Sequence, residues 1–151
     1  MKNLERGILM TINVLKKIEN DEQIITNMYN QISNLITENK TKMVYQINNT
    51  LVETNYMIGK IIVENEQNGN IRAEYGKDIL KKLSKKLTNE FGSGFSLSGL
   101  YNMRLFYNKY KNFQPLDGNL SWSHYCYLIY IEDDAERSFY EKECINPNIN
   151  I

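Results

Sequence analysis

Proline is absent from the first 114 residues of the chain, and no other feature of the sequence constrains its fold as strongly. The two prolines are Pro115 and Pro147. Because a proline inside a helix removes a backbone hydrogen bond and clashes with the preceding turn, its absence permits long helices. Apolar residues in this part of the chain recur at spacings of three and four, as on one face of a helix. The sequence therefore predicts an all-α fold.

The periodicity also places the predicted helices. They cover about 8–19, 21–38, 41–67, 76–90, 97–111 and 121–131, with a last helix from about Asp133 to Cys144. The second and third segments have a similar period, which favours an antiparallel helix pair. Asn68-Gly69-Asn70 is expected to end the third segment, since these residues tolerate the left-handed backbone of a helix end. The predicted architecture is a helical bundle with a long antiparallel helix pair and a helix-turn-helix-like subdomain.

That subdomain is predicted from the sequence Phe-Gly-Ser-Gly-Phe-Ser at residues 91–96, between two predicted helices. Two glycines in three positions indicate a tight turn, and Ser96 or Ser98 can cap the helix that follows. A helix, a short turn and a second helix form the outline of a helix-turn-helix motif. The outline is not specific to DNA-binding proteins, because many helical hairpins share it.

Positive charge is concentrated in one block of a chain whose net charge is zero. Residues 72–111 carry nine Lys or Arg against three Asp or Glu, a net charge of +6. Residues 112–151 carry a net charge of −5. A basic block of this kind is typical of a nucleic-acid contact and also of an ordinary solvated helix face, so both interpretations stay open.

The candidate DNA-binding residues lie on the helices on either side of the glycine turn. Lysines of the first helix would contact phosphates, and outward residues of the second would lie against a groove, where asparagine can bind adenine through two hydrogen bonds. Arg104 has an alternative role, in which an acidic neighbour holds it. The predicted nucleic-acid-binding residues are Lys81, Lys82, Lys85, Lys86, Ser98, Asn102, Arg104 and Lys109.

No catalytic, cofactor or metal site can be argued from the residue types and their spacing. His124 is the only histidine, and it lies two positions from Cys126 on a predicted helix, so the two side chains would point to different faces. A general base also needs a partner carboxylate or nucleophile, and none follows from the spacing. We expect Trp122, His124 and Tyr125 to dock their helix onto the bundle.

Cysteine content and hydropathy indicate a cytoplasmic protein. Cys126 and Cys144 are too few for a disulfide framework and are expected to be free thiols. No apolar run approaches the ~20 residues that span a bilayer. The N-terminus lacks the pattern of a secretory signal, since Glu5 and Arg6 come early and the apolar stretch is short.

Three stretches of the chain, 58–107, 120–129 and 136–145, carry motifs in a fixed order. The motifs are Ile58-Gly59, Glu66, Arg72-Ala73-Glu74-Tyr75-Gly76, Leu83-Ser84, Leu87-Thr88, Phe91-Gly92-x-Gly94-Phe95-Ser96, Leu100, Met103-Arg104, Phe106-Tyr107, Ser121-Trp122-Ser123-His124-Tyr125 and Phe139-Tyr140-Glu141. With this order and spacing, the chain resembles the N-terminal domain of the YhcG family of bacterial proteins.

The resemblance implies an N-terminal helical extension over 1–39, a YhcG-like helical domain over 40–146 and a tail over 147–151. Members of that family usually carry a C-terminal PD-(D/E)XK-type nuclease domain, and their N-terminal domain is thought to bind DNA or to mediate assembly. This chain ends at Ile151, so we expect it to have no nuclease activity of its own. The implied function is a DNA-binding module of a nuclease-associated bacterial system, with a separate nuclease subunit as one further partner.

A different class of function, protein–protein interaction or homodimerisation, also fits the sequence. The long helices predicted over 21–67 would then expose an apolar seam to a partner chain. Salt dependence separates the two hypotheses, because nucleic-acid binding weakens steeply with salt as counterions are released, whereas apolar association does not. No cofactor and no membrane partner is expected in either case.

Overall fold

A computed structural model of the chain describes residues 1–69, 72, 74–114 and 120–145. Within these residues the protein contains five helices and no strand, which confirms the all-α class. The helices are α1 (Lys2–Gln67), α2 (Gly76–Phe91), α3 (Leu97–Lys109), α4 (Trp122–Leu128) and α5 (Asp134–Ile145). In this described part, no helix has both the length and the hydropathy that a membrane crossing requires.

Helix α1 corrects the predicted antiparallel helix pair. The segments predicted at 8–19, 21–38 and 41–67 all lie in this single helix of 66 residues. The residues between them are polar but are neither glycine nor proline, and such residues cost only about 0.7 kcal/mol or less each in a helix. Thr41 even keeps to the helical pattern, since its hydroxyl donates to the Thr37 carbonyl at 3.0 Å. Nothing in the sequence therefore forces the chain to turn back.

The chain divides into two compact units, Met1–Val44 and Tyr45–Ile151. The first unit is helical from Lys2 onward, and every large apolar side chain in it is exposed. The second unit contains the rest of α1 and the four shorter helices, and it holds all of the buried residues among those described.

Aromatic packing around Phe106 of α3 forms the larger part of the core of the second unit. Phe106 is fully buried, and edge-on or tilted aromatic pairs of this kind each add roughly 0.5–1.5 kcal/mol beyond the burial of their area. Helix α4 docks here through Trp122 and Tyr125, two of the three residues predicted to do so, whereas His124 caps the helix. Ring centroids lie 4.8–5.6 Å from that of Phe106 for Tyr56, Tyr110, Phe113, Trp122 and Tyr125.

A second apolar cluster joins α1, α2 and α3 through Ile62, Leu80, Leu100 and Met103. Beside it, α1 and α3 approach each other so closely that only glycine fits at position 59. A Cβ atom on Gly59 would lie 2.0 Å from the Met103 carbonyl oxygen and 3.1 Å from the Cβ of Tyr107. The absence of a side chain at this position therefore sets the distance between the two helices.

Side chains cap three of the helices, and the predicted cap at Ser96 is confirmed. Ser96 begins α3, and its hydroxyl accepts a hydrogen bond from the Gly99 amide at 3.1 Å. Ser121 begins α4, where the backbone amide of Ser121 also donates to Nδ1 of His124 at 3.1 Å. His124 therefore caps α4. For α5, Asp133 accepts from the Glu136 amide at 2.8 Å.

Replacement of Gly59 by alanine is expected to lower the free energy of unfolding by about 1–3 kcal/mol, because the added methyl forces two packed helices apart. This is the net loss, after the ~1 kcal/mol by which alanine favours a helix over glycine has offset part of the cost of the clash with the backbone of α3. Urea unfolding followed through the fluorescence of Trp122, the only tryptophan, measures the change.

The matched control is Gly7→Ala in the same helix, where nothing lies within 4 Å of the added Cβ. This variant should lose no stability. If the two alanine variants unfolded at the same urea concentration, the close contact at Gly59 would not be required by the fold.

Candidate nucleic-acid interface

Four lysines of α2, namely Lys81, Lys82, Lys85 and Lys86, form an exposed patch that we call the lysine face. They lie away from Leu80 and Ser84, the two buried residues of the helix. Among the described residues, no carboxylate forms an ion pair with any of the four. Pairs four positions apart are neighbours on a helix, so the like charges repel one another by a few tenths of a kcal/mol, roughly.

Two contacts hold α2 in the position that exposes this face. Leu80 is 3% exposed and packs in the second apolar cluster. The Ser84 hydroxyl donates to the Phe95 carbonyl at 2.6 Å and so ties the middle of α2 to the turn before α3. In that turn Gly92 and Gly94 have φ values of 85° and 110°, a backbone conformation that favours glycine. The lysine face is therefore carried by a helix that is fixed on its other side.

Polar groups of α3 are engaged within the chain. Asn102 donates its amide to the Sγ of Cys126 at 3.9 Å, and its carbonyl accepts a hydrogen bond from the Tyr130 hydroxyl. Ser98 is exposed, and its hydroxyl lies 3.1 Å from that of Ser96. Asn102 thus connects α3 to α4 and the residues after it, whereas Ser98 is at the surface beside the turn.

The two basic residues predicted on α3 each meet an acid of the same chain. Arg104 donates its Nε to both carboxylate oxygens of Glu66, at 2.8 and 2.9 Å. The hydrogen bond to Glu66 raises the pKa of Arg104 above its ordinary value. Lys109 meets Glu132 at 3.0 Å. For Arg104, the structure thus shows the alternative role, in which an acidic neighbour holds it.

Sequence reasoning missed Glu66 as the partner of Arg104 and missed the burial of Arg137. Arg137 of α5 is 6% exposed, and its guanidinium donates to the Ile131 carbonyl at 2.9 Å and to Asp134. It also lies 5.4 Å from the ring centroid of Tyr110. A lone arginine in an acidic helix carries no sequence signal of burial, and its charge is satisfied inside the second unit.

The residues considered for metal binding have other contacts. Nδ1 of His124 accepts from the Ser121 amide, and burial raises the pKa of the Cys126 thiol. Cys126 and Cys144 are free thiols, as predicted. Within the part of the chain that the structure describes, no three His, Cys, Asp or Glu side chains come together as metal ligands would.

Comparison with known proteins supports the resemblance noted from the sequence. The chain is 31% identical over 150 residues to "Putative nuclease YhcG" of Escherichia coli (strain K12). The match covers 78% of this chain and 40% of the relative, so the chain spans less than half of that protein's length. No solved structure matches the chain significantly.

The family match extends over most of the chain. Residues 31–150 match the family described as the DUF1016 N-terminal domain. This region includes part of α1 and all of α2 to α5. The chain belongs to the DUF1016 N-terminal domain family.

Proposed function

We propose that the lysine face binds the phosphate backbone of DNA and that this domain is the DNA-docking module of a nuclease-associated bacterial system. The observation that carries the proposal is the lysine face itself. It presents four exposed ammonium groups on one helix, and none of the four is neutralised by an ion pair among the described residues. A polyanion would supply that neutralisation and would release its own counterions in return.

The contacts of α3 favour recognition of the DNA backbone over recognition of bases. Asn102, Arg104 and Lys109 already use their polar groups within the chain. Reading a base would require Asn102 to give up its contacts with Cys126 and Tyr130, at a cost in stability. Phosphate contacts position a protein on DNA and carry no sequence information by themselves. We therefore propose binding that depends weakly on base sequence, with Ser98 as an additional contact beside the turn.

The link to a nuclease is proposed on the relative's name. That protein is named "Putative nuclease YhcG", and this chain matches 40% of its length. A domain that binds any DNA sequence would raise the local concentration of substrate around a nuclease, whether the nuclease belongs to the same polypeptide or to a separate subunit.

Substitution of all four lysines of the lysine face by glutamine is expected to remove most of the DNA affinity. If each lysine neutralises one phosphate, log K should fall with log salt at a slope of about −3.6, which is about 100-fold between 50 and 200 mM salt. In the variant the slope should approach zero. Fluorescence anisotropy with a labelled duplex and a labelled single strand of the same length measures both slope and strand preference.

A control with the same change in charge replaces Lys2, Lys16, Lys17 and Lys42 of α1 by glutamine. This variant should retain the affinity and the salt slope of the unmodified chain to within a small factor. Equal losses in the two variants would mean that net charge, not the lysine face, governs binding, and the proposal would be wrong.

Replacement of Glu66 by glutamine tests whether Arg104 belongs to the interface. We expect a loss of stability of up to about 1 kcal/mol, since the ion pair is partly exposed, and DNA affinity that changes little. A clear gain in affinity that disappears when Arg104→Gln is added would show that the freed arginine binds phosphate. Urea unfolding and anisotropy on the same three proteins separate these outcomes.

A further inference from the structure

The first unit of the chain is a helix with no apolar side chain buried. All of its large apolar residues are exposed, among them Leu4 at 70% and Ile25 at 60%. Helices in proteins owe most of their stability to the packing of an apolar face. Contiguous exposed apolar surface beyond a few hundred Å² typically marks an interaction site. Residues 1–44 therefore need a partner surface.

The exposed residues follow a seven-residue repeat that starts at Met1. The first and fourth positions of successive heptads form a seam along one side of the helix, and ten of its thirteen residues up to Met43 are apolar. The three polar residues of the seam are Thr11, Glu22 and Asn39. A strict seven-residue repeat indicates a left-handed coiled coil, in which two seams interlock.

The line of the helix farthest from the seam is polar, and Leu9, Met10 and Ile24 lie between this line and the seam. The sixth position of each heptad lies farthest from the seam, and it is occupied by Arg6, Asn13, Asn20, Asn27, Asn34 and Thr41. Past Met43 the repeat ends, because the next two seam positions are Gln46 and Thr50. The repeat thus stops where the first compact unit stops, at Val44, and from Val52 onward α1 packs within its own chain. Of the apolar seam predicted over 21–67, the part up to Val44 is therefore exposed, whereas the part from Val52 onward packs within the second unit.

A second copy of this chain fits the seam in area. Each buried apolar side chain removes roughly 60–120 Å² of apolar surface from water. Ten such residues would bury about 600–1200 Å² on each helix, and a stable interface buries roughly 800 Å² per partner. The seam is therefore long enough to hold two identical helices together without a contribution from any other part of the chain.

The polar seam residues decide the orientation. In a parallel pair, Glu22 would face the partner's Glu22 in the middle of the seam, where like charges repel and lose water. In an antiparallel pair that overlaps the whole seam, Leu4 lies opposite the partner's Met43, and Glu22 lies opposite the partner's Ile25. No polar seam residue then faces another.

The flanking charges favour the same orientation. Glu5 and Lys40 occupy the fifth position of their heptads, and fifth positions of the two helices face each other in an antiparallel coiled coil. Glu5 thus meets the partner's Lys40, and by symmetry this pair forms twice. In a parallel pair the fifth position faces the partner's seventh, and between residues 1 and 44 no such pairing joins opposite charges.

We propose that residues 1–44 of two copies of this chain pair as an antiparallel coiled coil. The inference rests on the first unit alone and does not depend on DNA binding by the second. The partner is a second copy of the chain, because the heptad repeat, the area that can be buried and the flanking charges all fit an identical antiparallel helix.

Disulfide trapping tests the orientation directly. In a background with Cys126→Ser and Cys144→Ser, one protein carries Leu4→Cys and another carries Met43→Cys. A mixture of the two should form a covalent heterodimer under mild oxidation, since the two positions are opposite each other at bonding distance. Each protein alone should form none. Covalent homodimers of the Leu4→Cys protein would show a parallel pair and overturn the proposal.

Sedimentation equilibrium tests the pairing itself. The chain should sediment at twice its mass of 17.8 kDa, and Ile25→Glu with Ile32→Glu in the seam should return it to 17.8 kDa, with the dissociation constant raised more than 100-fold. The matched control, Asn27→Glu with Asn34→Glu, adds the same charge to the polar side and should leave the dimer intact. A monomeric unmodified chain at about 100 µM, or equal effects of the two double variants, would refute the proposal.

Discussion

The packing of aromatic rings around Phe106 is the interaction on which the second unit depends. Phe106 lies on α3, and its ring contacts side chains from α1, from α4 and from the residues that follow α3, so four parts of the chain meet at one buried group. Gly59 complements this packing, because it lets α1 approach the backbone of α3 directly. Helix α3 is fixed by these contacts with α1 and α4. Helix α2 packs against it through Leu80 and exposes its other face to solvent.

In the second unit, the polar side chains of α3 and those of α2 differ in their contacts. On α3, polar side chains such as Asn102 and Arg104 connect elements of the second unit to one another. On α2, the lysine side chains have no such contacts in the described part of the chain. The polar side chains of α3 thus stabilise the second unit, whereas the lysines of α2 are available to a binding partner. This difference is the basis of the function proposed above.

Local signals in the sequence predicted the local features of the fold. The all-α class, the bounds of α2 and the cap at Ser96 follow from periodicity and from side chains that act within one turn. The continuity of α1 did not follow, because a polar stretch between two apolar stripes looks the same in a loop and in a helix. The pair between Arg104 and Glu66 spans 38 positions, and only the tertiary fold brings the two together. The exposure of the lysine face was predictable from its helical position, whereas the internal contacts of Asn102 were not.

The repulsion within the lysine face has a consequence for how the domain responds to its surroundings. Lys81 and Lys85 are neighbours on α2, as are Lys82 and Lys86. Their repulsion raises the free energy of the folded state, and it is weaker in the unfolded chain, where the charges lie farther apart. Any polyanion that neutralises this face in the folded state alone shifts the folding equilibrium as well as binding to the protein. The melting temperature of the domain then depends on the concentration of such a polyanion. A thermal melt would therefore detect occupancy of the lysine face without a labelled ligand.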